Sequence, residues 1–212
     1  MASILAVNVG TPVDVAWQRQ TFTTSILKRP VTGTVRIRGV NLDGDDQADR
    51  SVHGGPSKAV YAYATEDYAW WSEAERRTWP GGTFGENLTT GGVDLGALRI
   101  GERWRAGTAL LEVSEPRIPC FKLGYAAGDV AFPRRFARAL RFGAYFRIVE
   151  EGAVTAGDRF ECEYRPEEHD VTVAEVGRIR MFAPHERAKL ADVTALALHW
   201  RGWAQMSEDG EA

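Results

Sequence analysis

The segment SEPRIPCFKLG at residues 114–124 contains the side chain best suited to chemistry, Cys120. Cys120 follows Pro119, and Arg117 and Lys122 are its near neighbours in sequence. Proline restricts the backbone, and the two cations favour the thiolate form of the cysteine. A thiolate is both a nucleophile and a soft metal ligand. We therefore expect a functional role for Cys120, the alternative being a buried structural thiol.

A long polar loop is the second candidate for a binding site. Residues 39–58 have no apolar periodicity. Their second half contains two adjacent glycines, Gly54 and Gly55, with charged or titratable side chains on either side: Asp45, Asp49, His53 and Lys58. Glycine amides can approach an anion closely, and long loops often carry function. We predict an anion-binding or cofactor-binding loop. The alternative is that the same residues only shape turns.

Several common sites are excluded by inspection. No two of the 22 glycines are separated by a single residue, so a G-x-G-x-x-G dinucleotide loop is impossible. Neither a P-loop nor a G-x-S-x-G nucleophile elbow occurs, and the four histidines lack the spacing of a zinc site. The second thiol, Cys162 in the segment FECEY, has the context of a packing residue in a strand.

Composition narrows the class of protein. The 212 residues are 44% hydrophobic and 26% charged, which is enough for a sizeable core. The net charge of −3 argues against nucleic-acid binding, and no apolar run approaches the ~20 residues of a membrane span. Residues 1–149 carry 19 basic and 15 acidic groups, whereas residues 150–212 carry 7 and 14. We expect a cytoplasmic protein with free thiols and no membrane contact.

The elements that must position these residues are mostly short strands. Apolar alternation at residues 31–38 and short apolar runs elsewhere predict strands at residues 3–8, 31–38, 59–64, 88–90, 98–100, 104–105, 109–114, 144–150 and 160–164. A helix should begin with Thr65 as its cap and end near Arg77, and another at residues 133–142 should end at Gly143. Short strands at such tight spacing favour a barrel.

The pattern changes after the linker at residues 165–170. Helical periodicity at residues 171–181, 184–190 and 193–205 predicts a small three-helix tail. We therefore expect two parts, a β domain at residues 1–165 and a helical extension at residues 166–212.

Four segments together resemble the MOSC domain proteins, a family named for the C-terminal domain of molybdenum cofactor sulfurases. They are GDDQADRSVHGGPSKAVYAY (44–63), GTFGENLTT (82–90), EPRIPCFKLG (115–124) and FRIVEEGAVTAGD (146–158). The resemblance covers about residues 1–165. The helical residues 171–205 further resemble the three-helix extension of a bacterial subgroup, which is similar to reductases of N-hydroxylated bases such as 6-hydroxylaminopurine.

The resemblance implies a mainly β fold with α: a MOSC-type β-barrel with peripheral helices and a C-terminal three-helix segment. It also implies a cleft for the molybdenum cofactor (Mo-molybdopterin), in which Cys120 ligates molybdenum or carries sulfur for it. The residues then expected to bind the cofactor are Asp49, His53, Gly54, Gly55, Lys58, Glu86, Asn87 and Arg117. A group of arginines in a predicted helix could add phosphate contacts, but we prefer to interpret them as a solvated face: Arg134, Arg135, Arg138 and Arg141.

Three functions follow from the resemblance. In the first, the enzyme reduces N-hydroxylated bases or amidoximes to amines, with electrons from a separate reductase. In the second, Cys120 carries a persulfide for sulfuration of the cofactor. In the third, the chain is a pterin-binding module whose acidic tail recruits a partner. Reduction ranks first, because the extension resembles the reductase subgroup and no pyridoxal-phosphate sulfurase domain accompanies these residues. A homodimer is compatible with each.

Overall fold

An eight-stranded sheet dominates the computed structural model, which describes residues 1–48 and 54–206. The strands are β1 (Ser3–Val9), β2 (Val13–Trp17), β3 (Gln20–Thr24), β4 (Arg29–Val31), β5 (Val35–Arg38), β6 (Asn41–Leu42), β7 (Val60–Ala64), β8 (Leu88–Gly91), β9 (Arg103–Ala106), β10 (Ala109–Pro116), β11 (Ala144–Glu150), β12 (Gly152–Val154) and β13 (Phe160–Tyr164). The helices are α1 (Thr65–Glu75), α2 (Phe121–Ala127), α3 (Phe132–Ala139), α4 (Val173–Phe182) and α5 (Leu198–Gln205). Short 3₁₀ helices lie at Pro56–Lys58, Leu95–Ala97 and Pro184–Leu190.

The strand order of the large sheet is β13-β9-β10-β11-β7-β8-β1-β4, and only the β7/β8 pair is parallel within the described residues. The start of β1 also reaches the start of β13, because Ile4 N–H donates to the Asp158 carbonyl at 2.9 Å and Gly157 N–H donates to the Ile4 carbonyl at 2.8 Å. The large sheet together with helices α1–α5 confirms the predicted mainly β fold with helices. The predicted barrel is not closed among the described residues, because β1 and the segment leading into β13 meet only at a short bridge around Ser3 and Arg159 and not along a continuous ladder.

Two hydrophobic clusters form the core. The larger joins the sheet to the C-terminal helices, so that Ile4 and Phe146 share a core with Val176 and Trp200. The smaller is aromatic and lies between β7 and α1–α3, with Trp71 and Phe136 stacked at 5.8 Å between ring centroids. This second cluster fixes α2, and Cys120 lies at the start of α2.

Some predicted strands are shorter or absent. The strand expected at residues 31–38 is split into β4 and β5, because Gly33 adopts a left-handed backbone (φ +85°). Residues 98–100 do not form a strand. Their backbone instead bonds to the segment just before α4, with Ile100 N–H donating to the Val171 carbonyl at 3.0 Å. The β2–β3 hairpin and α2 were not predicted.

The helix ends also differ from the prediction. Thr65 is not a cap: β7 runs directly into α1, Ala64 is the N-cap, and no side chain caps the helix. Leu140 in a left-handed conformation ends α3, three residues before Gly143. In the tail, the helix predicted at residues 193–205 is confined to α5. No helix among the described residues is long and apolar enough to cross a membrane.

Candidate functional site

A cleft lies where three neighbouring strands, a 3₁₀ turn and α2 converge. It holds about 600 Å³ of space free of atoms, including its solvent-open mouth. Strand β7 contributes Tyr61, β11 contributes Tyr145, and the turn contributes Lys58. The segment that leaves β10 contributes Arg117 and Cys120. Residues from three parts of the sequence thus meet at one thiol.

Cys120 lies at the N-cap of α2, with an extended backbone (φ −128°, ψ 176°). Its carbonyl accepts the Leu123 N–H at 3.0 Å, which begins the helical turn. The side chain is half-buried and forms no disulfide. Because α2 packs into the aromatic cluster through Leu123, the thiol is held by a fixed backbone at the cleft wall.

Arg117 is the cation most enclosed by this site. It is only 6% exposed, and its Nη1 has no hydrogen-bond partner among the described residues. Burial by itself would lower its pKa, but the negative charge that Cys120, Tyr61 and Tyr145 can carry outweighs burial and raises the pKa overall. A buried guanidinium without a partner is costly unless an anion or acceptor completes its hydrogen bonds.

A second cation, Lys28, is fixed at the cleft by an acidic side chain. Asp45 accepts hydrogen bonds from the Lys28 ammonium, from Gly10 N–H at 2.7 Å and from Asn87 Nδ2 at 2.9 Å. Burial lowers the pKa of Lys28, and the neighbouring Asp45 opposes that effect. Asn87 in turn accepts the Tyr61 N–H at 3.1 Å, so these groups tie the loop after β6 to β7.

Two tyrosines line the same cleft as neutral donors. Burial raises the pKa of Tyr145 to about 12, although Arg117 opposes the effect. Burial likewise raises the pKa of Tyr61 well above its usual value. The Tyr61 hydroxyl donates to the Phe142 carbonyl at 2.8 Å. The two rings lie 5.0 Å apart and form an aromatic wall beside the cations.

A second cleft opens on the other side of the Cys120 segment. It shares Lys58, Arg117, Cys120 and Tyr145 with the first cleft. Its remaining wall comes from the end of β10 and from the helical extension: Glu115, Pro116, Ile118, Pro119, Arg180, His199, Trp200 and Trp203. The thiol therefore lies between two clefts of different composition, one rich in cations and the other rich in tryptophan.

The structure brings four of the predicted site residues together at the first cleft: Lys58, Asn87, Arg117 and Cys120. Asp49 and His53 lie outside the described residues. Gly54 and Gly55 precede the turn that carries Lys58, and Gly55 has a left-handed backbone (φ +89°). Their role in binding stays a prediction.

Glu86 lies behind the cleft and does not line it. It is fully buried, and its carboxylate accepts hydrogen bonds from the Tyr68 hydroxyl at 2.8 Å and from Thr89 Oγ1 at 3.0 Å. Burial raises the pKa of Glu86, while these donors oppose the shift. Such contacts indicate a residue that holds the loop at residues 80–87 in place.

The arginines of α3 and the second cysteine lie away from both clefts. Arg135 pairs with Glu75 at 2.8 Å and with Asp129 at 2.8 Å, and Arg141 pairs with Asp67. Arg134 and Arg138 are exposed, as expected for a solvated helix face, whereas Arg135 and Arg141 are part-buried in these ion pairs, and Arg141 lies beyond the end of α3. Cys162 is exposed on β13 and donates to the Tyr164 carbonyl at 3.4 Å, so it is not a buried packing residue.

Sequence reasoning missed Lys28, Tyr61 and Tyr145. Lys28 carries no motif, and only its pairing with Asp45, 17 positions away, reveals its place. The alternation Tyr61-Ala62-Tyr63 in β7 could have indicated one face that carries hydroxyls, but the segment was predicted only as a strand.

Among the described residues, no group of three or more His, Cys, Asp or Glu side chains could hold a metal ion. A metal at Cys120 would therefore need further ligands from a non-protein group.

Comparison with known proteins identifies the family. The sequence profile of the MOSC domain matches residues 49–161, more than half of the chain. The chain belongs to the MOSC family. Protein YflK of Bacillus subtilis is 34% identical over 98% of this MOSC chain and 95% of its own length. Protein YiiM of Escherichia coli is 34% identical over 76% of the chain and 73% of its own length.

Solved structures extend the relationship to the helical tail of this MOSC protein. The crystal structure of YiiM from Geobacillus stearothermophilus superposes with a TM-score of 0.79 at 28% identity, covering 97% of this chain and 98% of that one. A protein of Gibberella moniliformis named reductase is 34% identical over 68% of this chain. The matched region makes up 26% of the length of that protein. The resemblance stated from the motifs is thus confirmed.

Proposed function

We propose that this MOSC protein is a molybdenum-cofactor-dependent oxidoreductase that reduces N-hydroxylated bases to amines and amidoximes to amidines. The observation that carries the proposal is the place of Cys120, a half-buried thiol between two clefts that are both also lined by Arg117, whose Nη1 has no hydrogen-bond partner among the described residues. A soft thiolate suits a soft metal, and a guanidinium suits a phosphate or a carbonyl acceptor.

The residues of the first cleft fit an anionic pterin. Lys58, Lys122 and Arg117 supply positive charge around it. The tyrosine hydroxyls of the wall stay protonated, so they do not add negative charge that would repel a phosphate. If the cofactor binds here, Cys120 is the described residue that would hold its metal.

Each residue then has a limited task. Cys120 would hold the metal as a thiolate, and the cations would bind and orient the pterin phosphate. When bound, the cofactor supplies the two electrons that convert a hydroxylamino group and two protons into an amine and water. The enclosed tryptophan-rich side of the site would exclude bulk water from the substrate.

The electrons must come from outside the chain. The sequence has no dinucleotide loop of the G-x-G-x-x-G type, and the proposal therefore includes a separate reductase as electron donor. The name of the fungal relative, reductase, supports redox chemistry for the shared region.

The test combines metal analysis with a reduction assay. Protein purified from a host that makes the cofactor should contain close to one molybdenum per chain, and it should reduce 6-hydroxylaminopurine with an artificial electron donor. Cys120→Ala should lower both molybdenum content and turnover, the latter by a factor of at least about 100 because a direct ligand is lost. Cys162→Ala is the matched control and should retain both.

Two outcomes would contradict the proposal. Full reductase activity in Cys120→Ala would show that the thiol is not the ligand. A wild-type protein without molybdenum that instead releases thiocyanate from Cys120 on treatment with cyanide would identify a persulfide carrier.

A further inference from the structure

The second cleft contains a buried carboxylate with one free oxygen. Glu115, at the end of β10, is 1% exposed. Its Oε2 accepts the Trp200 Nε1–H at 2.6 Å and lies 3.1 Å from His199 Nε2. Its Oε1 is buried and has no hydrogen-bond partner among the described residues. A carboxylate oxygen in this position costs free energy until a donor reaches it.

The same cleft contains a buried donor that also lacks a partner. Trp203 Nε1 has no acceptor among the described residues. Arg117 lines this cleft as well, and its Nη1 is the second unpartnered donor. The wall therefore offers one acceptor and two donors, and a matching ligand must carry an N–H donor beside acceptor atoms.

Flat aromatic surfaces complete the wall. The indoles of Trp200 and Trp203 lie 6.0 Å apart between centroids at an interplanar angle of 78°. The Arg180 guanidinium packs over the Trp203 ring, with its Cζ atom 4.8 Å from the ring centroid. Trp200 is 4% exposed, so the half-buried Trp203 is the indole whose surface a ligand can contact, which suits a planar ligand better than a flexible one.

We propose that the second cleft binds a planar amino-substituted heterocycle, and that Glu115 recognises it by accepting an N–H hydrogen bond from the exocyclic amine. Trp203 and Arg117 donate to the ring nitrogens of the ligand, and His199 positions Glu115 by contacting its other oxygen. The helical extension is then part of the substrate site, because Trp200, Trp203 and His199 all belong to α5. This inference rests on the proposed function, since it names the site for the amine product or its hydroxylated precursor.

The test uses two inert ligands that differ in one group. The compound 9-methyladenine carries the exocyclic amine as its only N–H donor, whereas 9-methylpurine lacks it. Isothermal titration of the cofactor-loaded protein should show tighter binding of 9-methyladenine, by about tenfold or more, because a hydrogen bond to a charged group is gained. Equal affinity for the two ligands would overturn the proposal.

Glu115→Gln should abolish this preference. The amide oxygen must stay with Trp200 Nε1, so the amide NH₂ would occupy the free position and turn an acceptor into a donor. Affinity for 9-methyladenine should fall at least about tenfold, while affinity for 9-methylpurine should hold or rise. Glu161→Gln, which changes an exposed carboxylate on β13, is the control and should keep the wild-type preference. An unchanged preference in Glu115→Gln would overturn the proposal.

A second variant covers the case in which Glu115→Gln fails to fold. Trp203→Phe keeps an aromatic ring but removes the indole N–H, and it should weaken both ligands several-fold. The result is independent of the proposed function, because binding of these ligands requires no electron transfer. Discrimination through Glu115 in a molybdenum-loaded protein that fails to reduce 6-hydroxylaminopurine would support the inference and refute the reductase, and normal reduction without such discrimination would do the opposite.

Discussion

Replacing Asp45 by asparagine should leave a buried charge without its partner. The Lys28 side chain is 8% exposed and the Asp45 side chain is 1% exposed, so solvent cannot replace the lost carboxylate. Removing one partner of a buried ion pair costs about 3–5 kcal/mol. Asparagine retains one oxygen for the Gly10 or Asn87 donors, which favours the lower end, about 3 kcal/mol. For a chain of this length, such a loss lowers Tm by about 6–12 °C.

The loss in Asp45→Asn should shrink at alkaline pH. In the folded wild type, burial lowers the pKa of Lys28 below 10.5, despite the opposing effect of Asp45. Between the folded and unfolded pKa values the unfolded chain binds more protons, so stability rises with pH across that window. Without Asp45, the pKa of Lys28 in the folded protein falls further, so the pH range between its folded and unfolded pKa values widens. The difference from wild type should therefore be larger at pH 7 than at pH 9.

Chemical denaturation at the two pH values measures this difference. The matched control is the double variant Asp45→Asn with Lys28→Met, which removes both charges and should be more stable than Asp45→Asn alone. The buried tyrosines affect each protein alike, so their titration cancels in the comparison. A variant within about 1 kcal/mol of wild type, or a double variant no better than the single one, would refute the reasoning.

Two further predictions concern the helical extension. In α4, a Cβ on Gly177 would lie 2.2 Å from Phe142 Cε2. Gly177→Ala should therefore lower Tm by about 4–8 °C through overpacking, whereas Gly202→Ala in α5, where nothing lies within 4 Å, should leave Tm unchanged or raise it. If the acidic tail recruits the electron donor, raising salt from about 50 to 300 mM should slow turnover with the protein donor but not with a small artificial one. Equal salt sensitivity with both donors would exclude recruitment by charge. Truncation near residue 165 is not a usable test, because Val176 and Trp200 belong to the main core.

Local sequence patterns were sufficient for much of the fold. Short apolar runs predicted the buried strands β7 and β10, because a strand that is covered on both faces has a nearly continuous apolar sequence. The mainly β class and a helical end followed from the same kind of pattern. Predictions failed where a single backbone conformation decided the element, as at Gly33, which splits a strand, and at Leu140, which ends α3.

Local sequence also singled out Cys120, because the prolines, the cations and the thiol lie within a few positions. Most of its surroundings became visible only in the tertiary structure. Glu115 and His199 are 84 positions apart, and each looks ordinary in its own segment.

The physical reason is that hydrogen-bond satisfaction is a property of space and not of sequence distance. A pattern can show that a side chain is polar, but only packing shows that Arg117 Nη1 and Glu115 Oε1 are buried without a hydrogen-bond partner among the described residues. The sequence by itself determined the family and singled out Cys120 as the candidate functional thiol. The folded chain alone decided that this thiol separates a cationic cleft from a tryptophan-lined one, because distant strands and α5 converge there.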